Sequence, residues 1–181
     1  DFNGDGFSDV IVGARHYNNG EFDEGMAFAY HGSASGLAGV PAWTAESNQE
    51  DAGFGCSVAP AGDVDGDGDL EIVAGSWDMR IYAWHHDGRL VDGWPRFAYD
   101  TVWSSPAMAD LNDDGRMEVI IGNDGASPDG GYLHVLRGDA SELPGFPKFI
   151  DQTIFSSPAV TDLNGDGALD IIQGNDAWPN M

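Results

Sequence analysis

The chain has 181 residues and a mass of 19.2 kDa, with 41% hydrophobic and 11% aromatic residues, enough for the core of one domain of ordinary size. Against 7 Lys and Arg stand 31 Asp and Glu, a formal net charge of -24 and a pI near 4.1, which excludes nucleic acid and anionic membrane surfaces as partners. No apolar run approaches the roughly 18 residues of a spanning helix, which excludes direct membrane insertion; Asp1-Phe2-Asn3-Gly4-Asp5 does not read as a signal peptide, and the single Cys56 excludes an intrachain disulfide.

Glycine, at 26 residues, is about twice as frequent as in an average protein, and with 9 prolines it predicts many tight turns. Between the turns lie apolar or β-branched runs of strand length, so the expected class is all-β. In chain order, four segments repeat: 1–13 DFNGDGFSDVIVG, 63–75 DVDGDGDLEIVAG, 110–122 DLNDDGRMEVIIG and 162–174 DLNGDGALDIIQG. Their starts are 62, 47 and 52 residues apart, which suits one four-stranded propeller blade per repeat.

The expected architecture is a β-propeller fragment of about three to four four-stranded blades: a partial blade over 1–53, blades over 54–102 and 103–154, and a partial blade over 155–181. In the third repeat the strands are predicted at 104–109, 118–121, 132–136 and 146–150. Ile72-Val73-Ala74 and Val119-Ile120-Ile121 are apolar on both faces, as a strand between neighbouring blades must be. A shift of 52 residues carries Gly93-Trp94-Pro95-Arg96-Phe97 onto Gly145-Phe146-Pro147-Lys148-Phe149, and Trp103-Ser104-Ser105-Pro106-Ala107 onto Phe155-Ser156-Ser157-Pro158-Ala159. Between Gly122 and Tyr132 the third repeat is five residues longer than the second, which reads as a lengthened surface loop around ASPDG. Because the sequence opens inside an acidic loop and ends after a second strand, it reads as an excerpt whose terminal blades would be covered by further sequence.

Each acidic loop places oxygen-bearing side chains at positions 1, 3, 5 and 9: Asp1, Asn3, Asp5, Asp9; Asp63, Asp65, Asp67, Glu71; Asp110, Asn112, Asp114, Glu118; and Asp162, Asn164, Asp166, Asp170. Hard oxygen donors in this number suit Ca²⁺, with the carbonyl of position 7, from Phe7, Asp69, Arg116 or Ala168, as backbone donor. Gly6, Gly68, Gly115 and Gly167 at position 6 let the chain turn sharply. Fifteen of the 31 acids fall in these four nine-residue windows, and unit charges about 4 Å apart repel by several kcal/mol at an effective dielectric near 20, so turn formation alone is a poor account of them. Up to four calcium ions are expected, which would reduce the formal charge from -24 to -16. An EF-hand is rejected, since position 12 carries Val12, Ala74, Ile121 or Gln173 instead of Glu and a strand follows each loop.

These loops, with Phe54-Gly55 ahead of the second and Gly13-Ala14 closing the first, resemble the FG-GAP repeats of integrin α-subunit β-propellers and their bacterial relatives. From about Trp77 onward, SSPA before the loop and GWPR or GFPK after it resemble VCBS-type repeats. The resemblance implies structural calcium, an extracellular or cell-surface location, and ligand binding by loops on the propeller face away from the metal loops.

Several other residues invite a functional reading. Arg137-Gly138-Asp139 spells the tripeptide that integrins bind, yet the 52-residue shift aligns it with His85-His86-Asp87, and turn chemistry accounts for it. His16, His31, His85, His86 and His134 show no zinc-site spacing, and no catalytic residues can be named together. Trp77, Trp84, Trp94, Trp103 and Trp178 are expected to pack between blades rather than line a sugar platform, because Trp94/Phe146 and Trp103/Phe155 match across repeats. Cys56 is expected as a buried filler in an inner strand. The expected function is a calcium-stabilised extracellular binding or adhesion module for a protein or glycan ligand. The alternatives are the propeller part of a secreted enzyme, such as a polysaccharide lyase or quinone-dependent dehydrogenase, and a structural spacer.

Overall fold

Every acidic loop runs directly into a strand rich in branched apolar residues, and in the two complete sheets that strand pairs on both sides. In the computed structural model, which describes residues 1–125 and 130–176, the strands form antiparallel meanders, and no helix occurs among the described residues. Strands β1 (Val10–Ala14), β2 (Met26–Tyr30) and β3 (Trp43–Ala45) form a three-stranded sheet. Strands β4 (Ser57–Gly62), β5 (Glu71–Gly75), β6 (Arg80–Trp84) and β7 (Arg96–Phe97) form a four-stranded sheet, as do β8 (Ala107–Ala109), β9 (Glu118–Gly122), β10 (Gly131–Leu136) and β11 (Lys148–Ile150). Strands β12 (Ala159–Thr161) and β13 (Asp170–Ile172) form a pair. Most of the lengthened loop, residues 126–129, and Trp178 lie outside the described residues.

Successive sheets stack side by side, β1 against β4, β4 against β8 and β8 against β12, as blades of a propeller do. The cores lie between sheets rather than within one. Ile72 and Ala74 of β5, with Tyr82 and Trp84 of β6, face Ala27 and Ala29 of β2 together with Phe2 and Phe54. The alternate residues Val73, Ile81 and Ala83 face Val119, Ile121 and Leu136 of the next sheet. Ile120, Leu133 and Val135 then turn towards Val160 and Ile171. Period-two alternation thus feeds a different interface on each face, which is why β5 and β9 are buried at all five positions.

The inner strand of the third sheet is shorter than the expected 104–109. Pro106 has no amide to donate, and Ser104 replaces ladder bonds with its side chain: Ser104 Oγ donates to Gly122 O at 2.9 Å and accepts from Gly122 N at 2.9 Å. Ser156 repeats the first of these, donating to Gly174 O at 2.7 Å. In the second sheet a bulge between Pro60 and Gly62 adds one residue, so Cys56 takes this position, and its thiol donates to Gly75 O at 3.5 Å and Val102 O at 3.0 Å. Cys56 therefore precedes β4 instead of lying within it, and burial pushes its thiol up to about 12. The outer strand likewise starts at Lys148, after a cis Phe146-Pro147 bond that has its repeat-matched counterpart at Trp94-Pro95.

Of the tryptophans, Trp84 and Trp94 are buried as expected, and Trp94 Nε1 donates to Gly138 O at 2.8 Å, tying the second sheet to the third. Trp103 and Phe155 are not core residues: each is 36% exposed. They precede β8 and β12 at strand ends where no further sheet covers them, and the 52-residue match reflects a shared surface position.

Candidate metal loops and the opposite face

The four acidic loops adopt one conformation with one set of internal hydrogen bonds. The position-1 carboxylate accepts the amide of position 6, with Gly6, Gly68, Gly115 and Gly167 donating to Asp1, Asp63, Asp110 and Asp162 at 2.9, 3.2, 2.8 and 2.9 Å. Asn3, Asp65, Asn112 and Asn164 at position 3 accept the amides of Asp5, Asp67, Asp114 and Asp166 at position 5. Those position-5 carboxylates accept the amides of Phe7, Asp69, Arg116 and Ala168. Asp9, Glu71, Glu118 and Asp170 reach back to the amides of Phe2, Val64, Leu111 and Leu163 at 2.8, 2.7, 2.8 and 2.9 Å. Position 6 has φ between 87° and 98° in all four loops, a region in which glycine meets no Cβ clash. Position 4 is also left-handed, as Gly4, Gly66, Gly165 and the non-glycine Asp113 at φ 58°. Glycine recurs at position 4 in three of the four loops, and this positive φ is the reason.

These bonds gather the side chains of positions 1, 3, 5 and 9 around each loop, and an oxygen that accepts one amide retains a lone pair for a cation. Burial pushes the carboxyls of Glu71 and Glu118 upward, and the charges of Asp65 and Asp67 add to the rise at Glu71, which reaches about 7. At Asp9 burial is outweighed by the amides of Gly32, Phe2 and Asn3, which hold its carboxyl low. Asp162 and Asp166 are also lowered, chiefly by the amides of Gly167 and Ala168. The second loop carries the most acids, Asp63, Asp65, Asp67, Asp69 and Glu71. Glu71 is fully buried, its Oε1 has no hydrogen-bond partner, and the charges of Asp65 and Asp67 act on it alongside His85. A hard oxygen-seeking cation fits this donor set, since it would satisfy the orphaned oxygen and the mutual repulsion together.

One residue of this region was not singled out as a ligand in the sequence. His85, in the turn after β6, lies 3.5 Å from both Asp67 and Glu71 and 3.8 Å from Asp65. It is 14 positions beyond Glu71, and only the β5–β6 register brings it back to the loop. The Arg137-Gly138-Asp139 tripeptide forms the corresponding turn after β10. A Cβ at Gly138 would stand 2.4 Å from Val64 O, so the tripeptide packs against the second loop instead of projecting from the molecule.

At the other end of the strands the surface is different. Trp77 lies in the β5–β6 hairpin, Trp103 and Phe155 precede β8 and β12, and Arg15 follows β1, so the antiparallel topology sets all four opposite the acidic loops. Trp77 and Trp103 have ring centroids 4.4 Å apart, Phe155 meets Trp103 edge-on at 6.0 Å, and the Arg15 guanidinium stands 5.5 and 5.8 Å from the two indole rings. This is a partly exposed aromatic row with a cation at one end.

Comparison with known proteins agrees with this architecture. Integrin alpha pat-2 of Caenorhabditis briggsae is 40% identical over 81 residues, and that of Caenorhabditis elegans 37% identical over 81 residues. Each match covers 42% of this chain and 6% of the relative, so the chain spans a small part of these proteins. The sequence profile of the FG-GAP-like repeat matches residues 1–74 and 63–121. On those two overlapping matches and the loop-and-strand unit that recurs in its fold, the chain belongs to the FG-GAP-like repeat family.

Proposed function

We propose that the chain is a calcium-stabilised extracellular module that binds a protein or glycan ligand through the face opposite its acidic loops. The observation that carries this reading is the division of labour between strand ends: one end gathers the carboxylates of the acidic loops, the other holds Arg15, Trp77, Trp103 and Phe155 partly open to solvent. Aromatic faces and a guanidinium suit sugar rings or a peptide with aromatic or acidic side chains, because they offer flat apolar area together with charge. Calcium at Asp1, Asn3, Asp5 and Asp9 and at the matching positions of the other loops would fix the connection between the first two strands of a blade. It would thereby set the ends of those strands without taking part in a reaction. The integrin α relatives, matched over part of their length, support a binding role over an enzymatic one.

The test is to apply the labelled chain, in calcium, to arrays of cell-surface glycans and extracellular-matrix proteins, beside the variants Trp103→Ala and Trp103→Ala/Phe155→Ala. The expected result is a ligand retained by the wild type and weakened roughly tenfold or more by the double variant, in line with the loss of an aromatic anchor. Binding that is indifferent to both substitutions would place the ligand elsewhere, and a blank array would favour the spacer.

A further inference from the structure

We propose that the cleft between Tyr99 and Tyr132, where the second sheet meets the third, is a binding site for a neutral saccharide, separate from the row formed by Arg15, Trp77, Trp103 and Phe155. The cleft has a volume of about 220 Å³, and Asp100, Asn123 and Asp124 line it together with the two tyrosines. That is less than the roughly 300–1,000 Å³ of a site for a drug-sized molecule, so it seats one ring of a ligand and leaves the rest on the surface. The surface beside it is aromatic. Tyr99 and Tyr132 have ring centroids 5.4 Å apart, with Phe97 5.5 Å from Tyr99 and Phe149 5.5 Å from Tyr132. Phe97 and Tyr99 are each 50% exposed and Phe149 is 49% exposed, a contiguous apolar patch of the kind that marks a binding surface. The 52-residue shift that matches Phe97 with Phe149 sets Arg80 against Tyr132 and Tyr99 against Asp151, so the tyrosine pair is no requirement of the repeat.

The walls of the cleft are held in place by the fold. Asn123 is fully buried; its Nδ2 donates to Ala98 O, beside Tyr99, and its Oδ1 accepts the amide of Tyr132, so one side chain fixes the backbone of both walls. Asp124 N donates to Thr101 O at 2.7 Å and ties them together a second time. Tyr99 stands at φ 71°, a left-handed conformation that is costly for a bulky residue and that strained sites retain when their surroundings impose it. Its ring lies at 11° and 6.0 Å from that of His134, which is itself buried and bonded through Nδ1 to Glu142 at 2.7 Å. Asp100 accepts the amide of Thr101 at 2.7 Å and Asp124 that of Gly125 at 2.8 Å, and an oxygen that accepts one amide keeps a lone pair for a hydroxyl. Two carboxylates with no Lys or Arg among the described lining residues repel uronate, sulfate and phosphate groups. Sugar hydroxyls can donate to these acids while the C–H face of the sugar lies on the rings. A basic side chain would also satisfy the carboxylates, but a point charge has no use for four neighbouring rings, whereas a chain of sugar units does.

The test is to titrate the whole chain, carrying ¹³C-labelled tyrosine rings, with neutral hexasaccharides of glucose, mannose, galactose, xylose and N-acetylglucosamine, and with tetra-arginine as the cationic rival. The expected result is that at least one hexasaccharide displaces the ring resonances of Tyr99 and Tyr132, with an affinity that added salt leaves unchanged because no charge pair forms. Tyr99→Ala should bind that sugar about tenfold or more weakly, and Tyr99→Phe, which keeps the ring, should bind it as the wild type does. No displacement by any hexasaccharide, displacement by tetra-arginine alone, or equal affinity in Tyr99→Ala would overturn the site. The wild-type resonances need no variant, so a misfolded Tyr99→Ala does not spoil the test. Array binding that ignores Trp103 and Phe155 would defeat the proposed ligand face, while these resonances decide the cleft on their own.

Discussion

Glu71 concentrates the electrostatics of the second loop in one side chain. Burial first, and then the charges of Asp65 and Asp67, push its carboxyl up to about 7, against the pull of the Val64 amide and of His85. An acid whose pKa rises on folding holds its proton more tightly in the native state than in the unfolded chain. Its contribution to stability in metal-free protein therefore falls as pH rises from about 4.5 to about 7. In chelator at pH 7.5, Glu71→Gln should be more stable than wild type, and the gap should close by pH 5; in calcium the order should reverse. Urea melts under the three conditions check this, and a variant less stable in chelator at pH 7.5 would contradict it. The regular acids were legible from spacing alone because each occupies a fixed place in a local loop. His85 was not, since its approach depends on strand register, and Cys56 was misplaced because the bulge at Pro60/Gly62 shifts its alignment by one residue.

Strands were legible where side chains alternate between two buried faces and blurred where the backbone is satisfied by other means. Val119-Ile120-Ile121 announced a strand between two neighbours, and the structure places Val119 and Ile121 on one interface and Ile120 on the other. The stretch 104–106 reads as strand by its repeat but is held by the Ser104 hydroxyl, a side-chain bond that no apolar pattern reveals. Trp103 and Phe155 show the limit of the repeat argument, since equivalent positions share an environment whether that environment is core or surface. Because each core is shared by two sheets, a cavity at one interface should weaken the array and not only one sheet. Ile120→Ala, at a fully buried position, should cost about 2–5 kcal/mol in urea unfolding, whereas Val12→Ala, 43% exposed on the edge strand β1, should cost less than about 1 kcal/mol. Similar costs for the two would contradict the placement of the core between sheets.

For the molecule as a whole, a charge of -24 on 181 residues opposes compaction, and the sheets place much of that charge together at one end of the strands. Under the proposed function, cation binding at that end would offset this repulsion and leave the opposite end, with its aromatic row, free for a ligand. The division between the two ends is topological: three acidic loops join β4 to β5, β8 to β9 and β12 to β13, and the first leads into β1 at the same end, so hairpins such as the one carrying Trp77 fall at the far side. The most direct test of this account is thermal unfolding of the purified chain in excess EGTA and then in about 10 mM Ca²⁺. If each site binds near 10⁻⁴ M, calcium adds roughly 2.7 kcal/mol per occupied site, and the melting temperature should rise steeply and more than it does with magnesium. A sharp melt at the same temperature in chelator and in calcium would contradict the account and leave the acidic loops as turns held only by their own hydrogen bonds.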